Sequence, residues 1–240
     1  PDRDYPDYMT WDQIEEMSAA GMQMESHTRD HPDLRRRDTD FLVYQLLGAQ
    51  ESLTAHTGQP ARMFAYPAGE YDEAVLAMLR SGQINSIELD LKDESGVVGY
   101  DSKVPLANQI GAVQPSYKLE QAVREIHEQG GRVIGRVVAF RDPILANWSW
   151  ENGRRQQVIQ APGGGQYLGY GGFTNFADPV VRAYNIDTAR EAAAAGVDDI
   201  LYDYIRRPDG PLDTMVFPGL KGGAQASVVS FLGEARDALD

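Results

Sequence analysis

The chain has 240 residues, 42% of them hydrophobic, so it carries enough apolar surface for a packed core, and wholesale disorder is excluded. Its 36 acidic and 22 basic residues leave a net charge of −14, a poor match for nucleic acid or an anionic membrane, both of which need a basic face. Cysteine is absent, which removes disulfides, thiolate zinc sites and cysteine nucleophiles together, and no apolar run approaches the roughly 20 residues of a membrane helix. The sequence opens at Pro1 without a basic-then-apolar leader and reads as an internal segment, so no signal peptide is visible in it. Its oligomeric state is not legible.

Thr10 and Gln13 form a T-x-x-Q capping box before an apolar face at Ile14 and Met17, and Gly21 ends that helix. Met22 to Ser26 reads as a short strand running into Ser26-His27-Thr28-Arg29-Asp30-His31-Pro32. Leu42, Val43, Leu46, Leu47 and Leu53 recur at helical spacing, which predicts a helix from about Thr39 to Thr57 with Gly58 as its stop. A strand over Met63 to Tyr66 and a helix over Asp72 to Arg80 follow. After Ser81-Gly82 come a strand at Ile84 to Leu91, a helix at Tyr117 to Gln129 and a Val/Ile-rich strand at Arg132 to Phe140. A loop-rich stretch then runs from Arg141 to Asp178, too long for a plain connector. Asp178 and Pro179 start a helix ending at Gly196, and Asp199 to Ile205 is a final strand. Strand and helix alternate, which argues for an α/β fold with parallel strands.

His27 and His31 lie four residues apart, a spacing that can place two imidazoles on one side of a turn, as a metal requires. Pro32 disfavours α conformation at His31, and Thr28 stands where a zincin helix needs a glutamate. A bare H-x-x-x-H is a weak signal, and taken alone it favours two solvated histidines in a polar turn. The surrounding text is more specific. Residues 11 to 34, Thr-Trp-Asp-Gln through Glu-Ser-His-Thr-Arg-Asp-His-Pro-Asp-Leu when Thr10 is included, resemble the polysaccharide deacetylase family (NodB homology). A second family motif stands at Arg62-Met63-Phe64-Ala65-Tyr66-Pro67-Ala68-Gly69. The resemblance covers residues 1–82. It implies zinc, or another divalent metal, on His27 and His31, an oxyanion donor in the backbone N–H at Tyr66, and an orienting role for Arg62. The implied substrate is a polysaccharide containing N-acetylhexosamine. The family's upstream Asp-Asp motif, which supplies a metal ligand and the general base, is absent, so this segment is expected to be inactive alone; Asp30 and Glu25 are substitutes for the ligand only, with a solvated turn carboxylate and a water-facing strand residue as the plain readings.

Two later strands carry charges on one face: Glu88, Asp90 and Lys92 in the first, Asp199 and Asp203 in the second. Charges there call for pairing or function, although an edge strand with a wet face is the plain alternative. In a parallel barrel the carboxyl ends of the strands carry the active site, which singles out Asp203. The pieces at 88–96, 136–143, 177–179, 184–189 and 196–208 resemble a glycoside hydrolase family with a TIM-barrel-like catalytic domain, placed here at 84–240. Leu201 and Arg207 depart from that family's Glu-Ile-Gln-Phe-Asp-Tyr-Ile-Arg-Phe-Pro text. A glycosidase needs two carboxyls flanking the bond. Asp203 is the candidate nucleophile or base and Asp90 the second acid, with Lys92 as its charge partner. Arg136 is a candidate for orienting a carboxylate, and Trp148, Trp150, Tyr167 and Tyr170 for stacking on sugar rings, with ordinary loop packing as the alternative for each.

The fold expectation is therefore α/β, as two partial (β/α) barrels, deacetylase-like then TIM-barrel-like. The functional expectation is a carbohydrate-active hydrolase, secreted or in the cell envelope by family analogy. A carbohydrate-binding remnant without turnover, or a metal-dependent amidohydrolase on small molecules, stand as alternatives.

Overall fold

A computed structural model describes residues 9–61, 63–65, 77 and 85–240. Two compact units divide the chain: Pro1–Leu89 with Glu125–Val133, and Asp90–Arg124 with Ile134–Asp240. The expected helix over 72–80 lies outside the described residues except at position 77.

In the first unit, α1 (Trp11–Ala19) starts at the expected capping box: Thr10 Oγ1 accepts from the Gln13 N–H and Gln13 Oε1 accepts from the Thr10 N–H. Helix α2 (Thr39–Thr57) is N-capped by Asp38 and closed by Gly58, whose φ of 68° is the left-handed turn glycine takes at little cost. Leu42 and Leu46 are buried, whereas Val43 is exposed, so the buried stripe is narrower than the apolar pattern. His56, in the last turn of α2, stacks on Trp11 at 3.9 Å and meets Glu15 through Nδ1 at 2.7 Å, joining the two helices. Met22 to Ser26 is not a strand; only Ser26 makes a β-bridge. Strand β1 (Met63–Ala65) runs parallel to the start of β2 (Ser86–Lys92), with Ala65 opposite Glu88.

The second unit holds a sheet in the order β4-β3-β2-β5-β6, from β3 (Val98–Tyr100), β4 (Val113–Tyr117), β5 (Arg132–Val138) and β6 (Asp199–Asp203) together with β2. Strands β2 and β5 begin in the first unit and end in this one. The sheet is mostly parallel and the fold is α/β, as the alternation implies. The exception is the tight antiparallel turn from β2 to β3, where Asp93 Oδ1 accepts from the N–H groups of Ser95 and Val97. Further α-helices are α3 (Pro105–Gln109), α4 (Leu119–Glu128), α5 (Pro143–Glu151), α6 (Pro179–Ala194) and α7 (Ala224–Leu239), with short 3-10 turns at Arg155–Gln157, Gly169–Gly171 and Leu212–Thr214.

Five of these differ from the sequence reading. β3, α3 and β4 fill a stretch with no clear period, and α7 lies beyond the last expected element. Part of the long loop is α5: Asp142 caps it by accepting from the Leu145 N–H, and Pro143 sits in its first turn. The same Asp-Pro device starts α6, where Asp178 accepts from the N–H groups of Val180 and Val181. Phe140, Phe176 and Phe231 are fully buried, their rings 5.1–5.8 Å apart around Phe140, and form the aromatic part of this unit's core. No helix among the described residues is long and apolar enough to cross a membrane.

Candidate active site

Three adjacent strands build the site. Arg136 lies on β5, between β2 with Asp90 and β6 with Asp203. The register puts Arg136 opposite Leu201 and Val138 opposite Asp203, so Arg136 and Asp203 share a face near the carboxyl ends. Arg136 donates from Nη1 to Asp90 Oδ1 at 2.6 Å, and from Nε and Nη2 to Asp203 Oδ2 at 3.1 and 2.7 Å. Glu94, in the turn after β2, places Oε2 3.5 Å from both Nη atoms. The other Asp203 oxygen accepts from the Tyr204 N–H at 2.6 Å.

The environments of the carboxyls differ. The Asp90 side chain is 16% exposed, against 41% for Asp203 and 46% for Glu94. Burial raises the Asp90 pKa above its usual 3.8, against the opposing pull of Arg136. Burial is the largest influence on Arg136 and works against its charge, but the Asp90 and Asp203 carboxylates together outweigh it and the net shift is upward. Glu94 and Asp203 share one Nη2 atom, so their oxygens can be no farther apart than those two contacts laid end to end. That is below the roughly 9.5 Å upper limit for glycosidase carboxyl pairs.

Lys92 pairs elsewhere. Its side chain is fully buried and donates to Asp142 Oδ2 at 2.8 Å, with the Tyr184 ring 4.6 Å from Nζ. The expected Asp90–Lys92 pair is therefore replaced by Asp90–Arg136 and Lys92–Asp142. With no exposed surface, Lys92 is placed to hold Asp142 inside the fold. Loss of solvation lowers the Lys92 pKa, against the raising effect of Asp142.

The stacking candidates separate. Trp148 and Trp150, two apart on α5, do not share a helix face. Arg154 covers the first ring at 4.8 Å and Arg155 the second at 4.8 Å, so the pair forms no common sugar platform. Tyr170 donates to Asp209 Oδ2 at 3.1 Å, and the Tyr167 hydroxyl lies 3.5 Å from the Asp209 carbonyl, which gathers both near the segment after β6. Glu94 was missed because a turn carboxylate shows no period; its place within the quoted 88–96 motif was the only available signal.

In the first unit the His27 and His31 rings approach to 4.7 Å, edge to face, and both residues are exposed. Buried Gln45 of α2 holds their loop, accepting through Oε1 from the Arg29 and Asp30 N–H groups and donating through Nε2 to Asp30 Oδ2. Asp30 is thus engaged by Gln45. No group of three His, Cys, Asp or Glu among the described residues is placed to hold a metal ion. The two imidazoles alone do not make the zinc site that the deacetylase resemblance implies. Arg62 and Tyr66 lie outside the described residues.

A family model described as "Putative glycosyl hydrolase domain" matches residues 65–240. The chain belongs to this glycosyl hydrolase domain family. A polysaccharide deacetylase model matches residues 4–87, so the two matches follow the expected order and overlap over 65–87. They make the chain a carbohydrate-active hydrolase in broad class, with the Arg136 cluster inside its glycosyl hydrolase domain. A solved hypothetical protein from Ruminiclostridium thermocellum is similar at TM-score 0.64 and 28% identity, over 72% of this chain and 90% of that one. An alpha-galactosidase from Thermus thermophilus gives a TM-score of 0.46 at 15% identity, over 74% and 36%. The type III pullulan hydrolase from Thermococcus kodakarensis gives 0.42 at 18%, over 68% and 29%. No curated protein matches the chain.

Proposed function

We propose that the Arg136 cluster cleaves glycosidic bonds in a polysaccharide containing N-acetylhexosamine. The observation that carries this reading is one guanidinium holding two strand carboxylates, Asp90 and Asp203, with Glu94 at its rim. Asp203, the more open of the two and held on both oxygens by N–H donors, is the nucleophile or base. Asp90, pushed by burial towards its protonated form, is the proton-holding partner. Arg136 fixes their spacing and holds positive charge where negative charge is redistributed in the reaction.

For the front segment we propose N-deacetylation of the same polymer. The family match over 4–87 and the close pair of imidazoles support it. The described residues provide no third ligand, so no metal-dependent step is assigned to them. Such an enzyme acts on polymers outside the cytoplasm, in the envelope or secreted.

One observation favours a second reading, carbohydrate binding without turnover: both strand carboxylates are committed to Arg136. The test is to incubate the chain with an N-acetylglucosamine polymer and measure acetate and reducing ends separately. Where acetate is released, His27→Ala is expected to abolish that release alone, and Asp203→Asn is expected to abolish the release of reducing ends alone. Binding of the polymer with neither product would establish the second reading instead.

A further inference from the structure

Arg141, three residues past β5, is a guanidinium beside the site with no ion pair to a carboxylate among the described residues. Its Nη1 donates to Tyr204 Oη at 3.0 Å, and its Nε is buried with no acceptor. A buried donor without a partner is uncommon and calls for an explanation. Two tyrosine rings cover it, Tyr204 at 5.3 Å and Tyr170 at 5.8 Å. Both tyrosines have left-handed backbones, φ +57° at Tyr170 and +48° at Tyr204, which non-glycine residues rarely adopt. Gly171 and Gly172 continue the bend at φ +80° and +135°. Strain of this kind gathers at binding and catalytic sites. The link to the chemistry is direct, because the Tyr204 N–H binds Asp203 Oδ1 while the Tyr204 side chain binds Arg141.

We propose that Arg141 is a substrate-binding residue in the subsite adjoining Asp203, where its Nε donates to a hydroxyl or ring oxygen of an uncharged sugar, and that Tyr170 is a cover which the sugar displaces. The inference rests on the glycan-cleaving reading above. Tyr170 is 46% exposed and is tethered at its tip only by the hydrogen bond to Asp209. Moving it uncovers the Arg141 guanidinium on that side, while the Tyr204 ring stays covered by Arg206 at 5.0 Å. Asp203 meets Tyr204 and Asp209 meets Tyr170, and Arg206 is already paired with Asp209 at 3.0 Å, so an anionic substituent is disfavoured.

The test is titration calorimetry with the N-acetylglucosamine hexamer, in the Asp203→Asn background to prevent turnover. Arg141→Gln is expected to weaken binding at least tenfold. Arg141→Lys is not expected to restore it, because lysine keeps the charge and loses the Nε donor. Tyr170→Ala is expected to tighten binding, since the cover is gone; a residue of merely structural importance gives no such gain. Unchanged affinity in Arg141→Gln, or weaker binding in Tyr170→Ala, overturns the proposal while the cleavage reading stands. If Arg141→Gln does not fold, the Tyr170→Ala result decides. A parent chain that neither binds the hexamer nor cleaves the polymer overturns the underlying reading and this proposal with it.

Discussion

At the scale of single residues, the chemistry turns on which charges meet. Asp90 and Asp203 were legible in the sequence because alternation along a strand puts carboxylates at strand ends on one face. Arg136 was legible as the holder of a carboxylate, but not which carboxylates it holds, because the choice between Lys92 and Arg136 as the partner of Asp90 depends on which strands become neighbours. Replacing Arg136 with Met should leave the site's carboxylates without their shared cation. Glycan cleavage is expected to fall on the order of 10²-fold, the scale for losing one preorganised donor, as initial rates would show. Asp90 also gives the fold a pH signature. Its folded pKa is raised above 3.8, so its favourable contribution is full below 3.8 and is lost as pH rises through the folded value. Urea unfolding across that window should show a falling component of stability that disappears in Asp90→Asn. Lys92 and Asp142 form a pair with no exposure on either side. Lys92→Ala leaves Asp142 buried without its cation, and denaturant titration is expected to show a loss of about 3–5 kcal/mol.

At the scale of elements, helices with local start and stop signals were legible. The Thr10/Gln13 box and Gly58 marked α1 and α2, and Asp178-Pro179 marked α6. The identical Asp142-Pro143 signal for α5 was overlooked among the aromatic and polar residues around it. Strands β3 and β4 gave little pattern because three and five residues are too few to show a period. Gly96 shows how tightly the turn before β3 meets α5. Its φ is +84°, and a Cβ there would lie 2.3 Å from Asp142 Oδ1 and 3.3 Å from the Ile144 Cβ. Gly96→Ala therefore combines a left-handed backbone penalty of roughly 1–2 kcal/mol with a clash against the buried carboxylate. A thermal unfolding midpoint clearly below that of the parent is expected; an unchanged midpoint would mean that the turn relaxes freely.

At the scale of the whole molecule, the family matches agree with the two resemblances carried by local motifs, and in the same order. The zinc site was less legible, because a third ligand is a property of three-dimensional neighbours and none is present among the described residues. Net charge acts on the molecule as a whole. At −14 the compact state repels itself, and that repulsion reaches farther at low salt. The unfolding temperature is expected to rise as ionic strength goes from about 0.01 M to about 0.15 M, where the Debye length shortens from roughly 30 to 8 Å. The central claim is that the carboxylates gathered by Arg136 break glycosidic bonds. Its most direct test is mass-spectrometric sizing of an N-acetylglucosamine polymer after incubation with the chain and with Asp203→Asn. Progressive shortening by the parent and none by the variant is the expected result; equal shortening by both, or intact polymer in both, would contradict it.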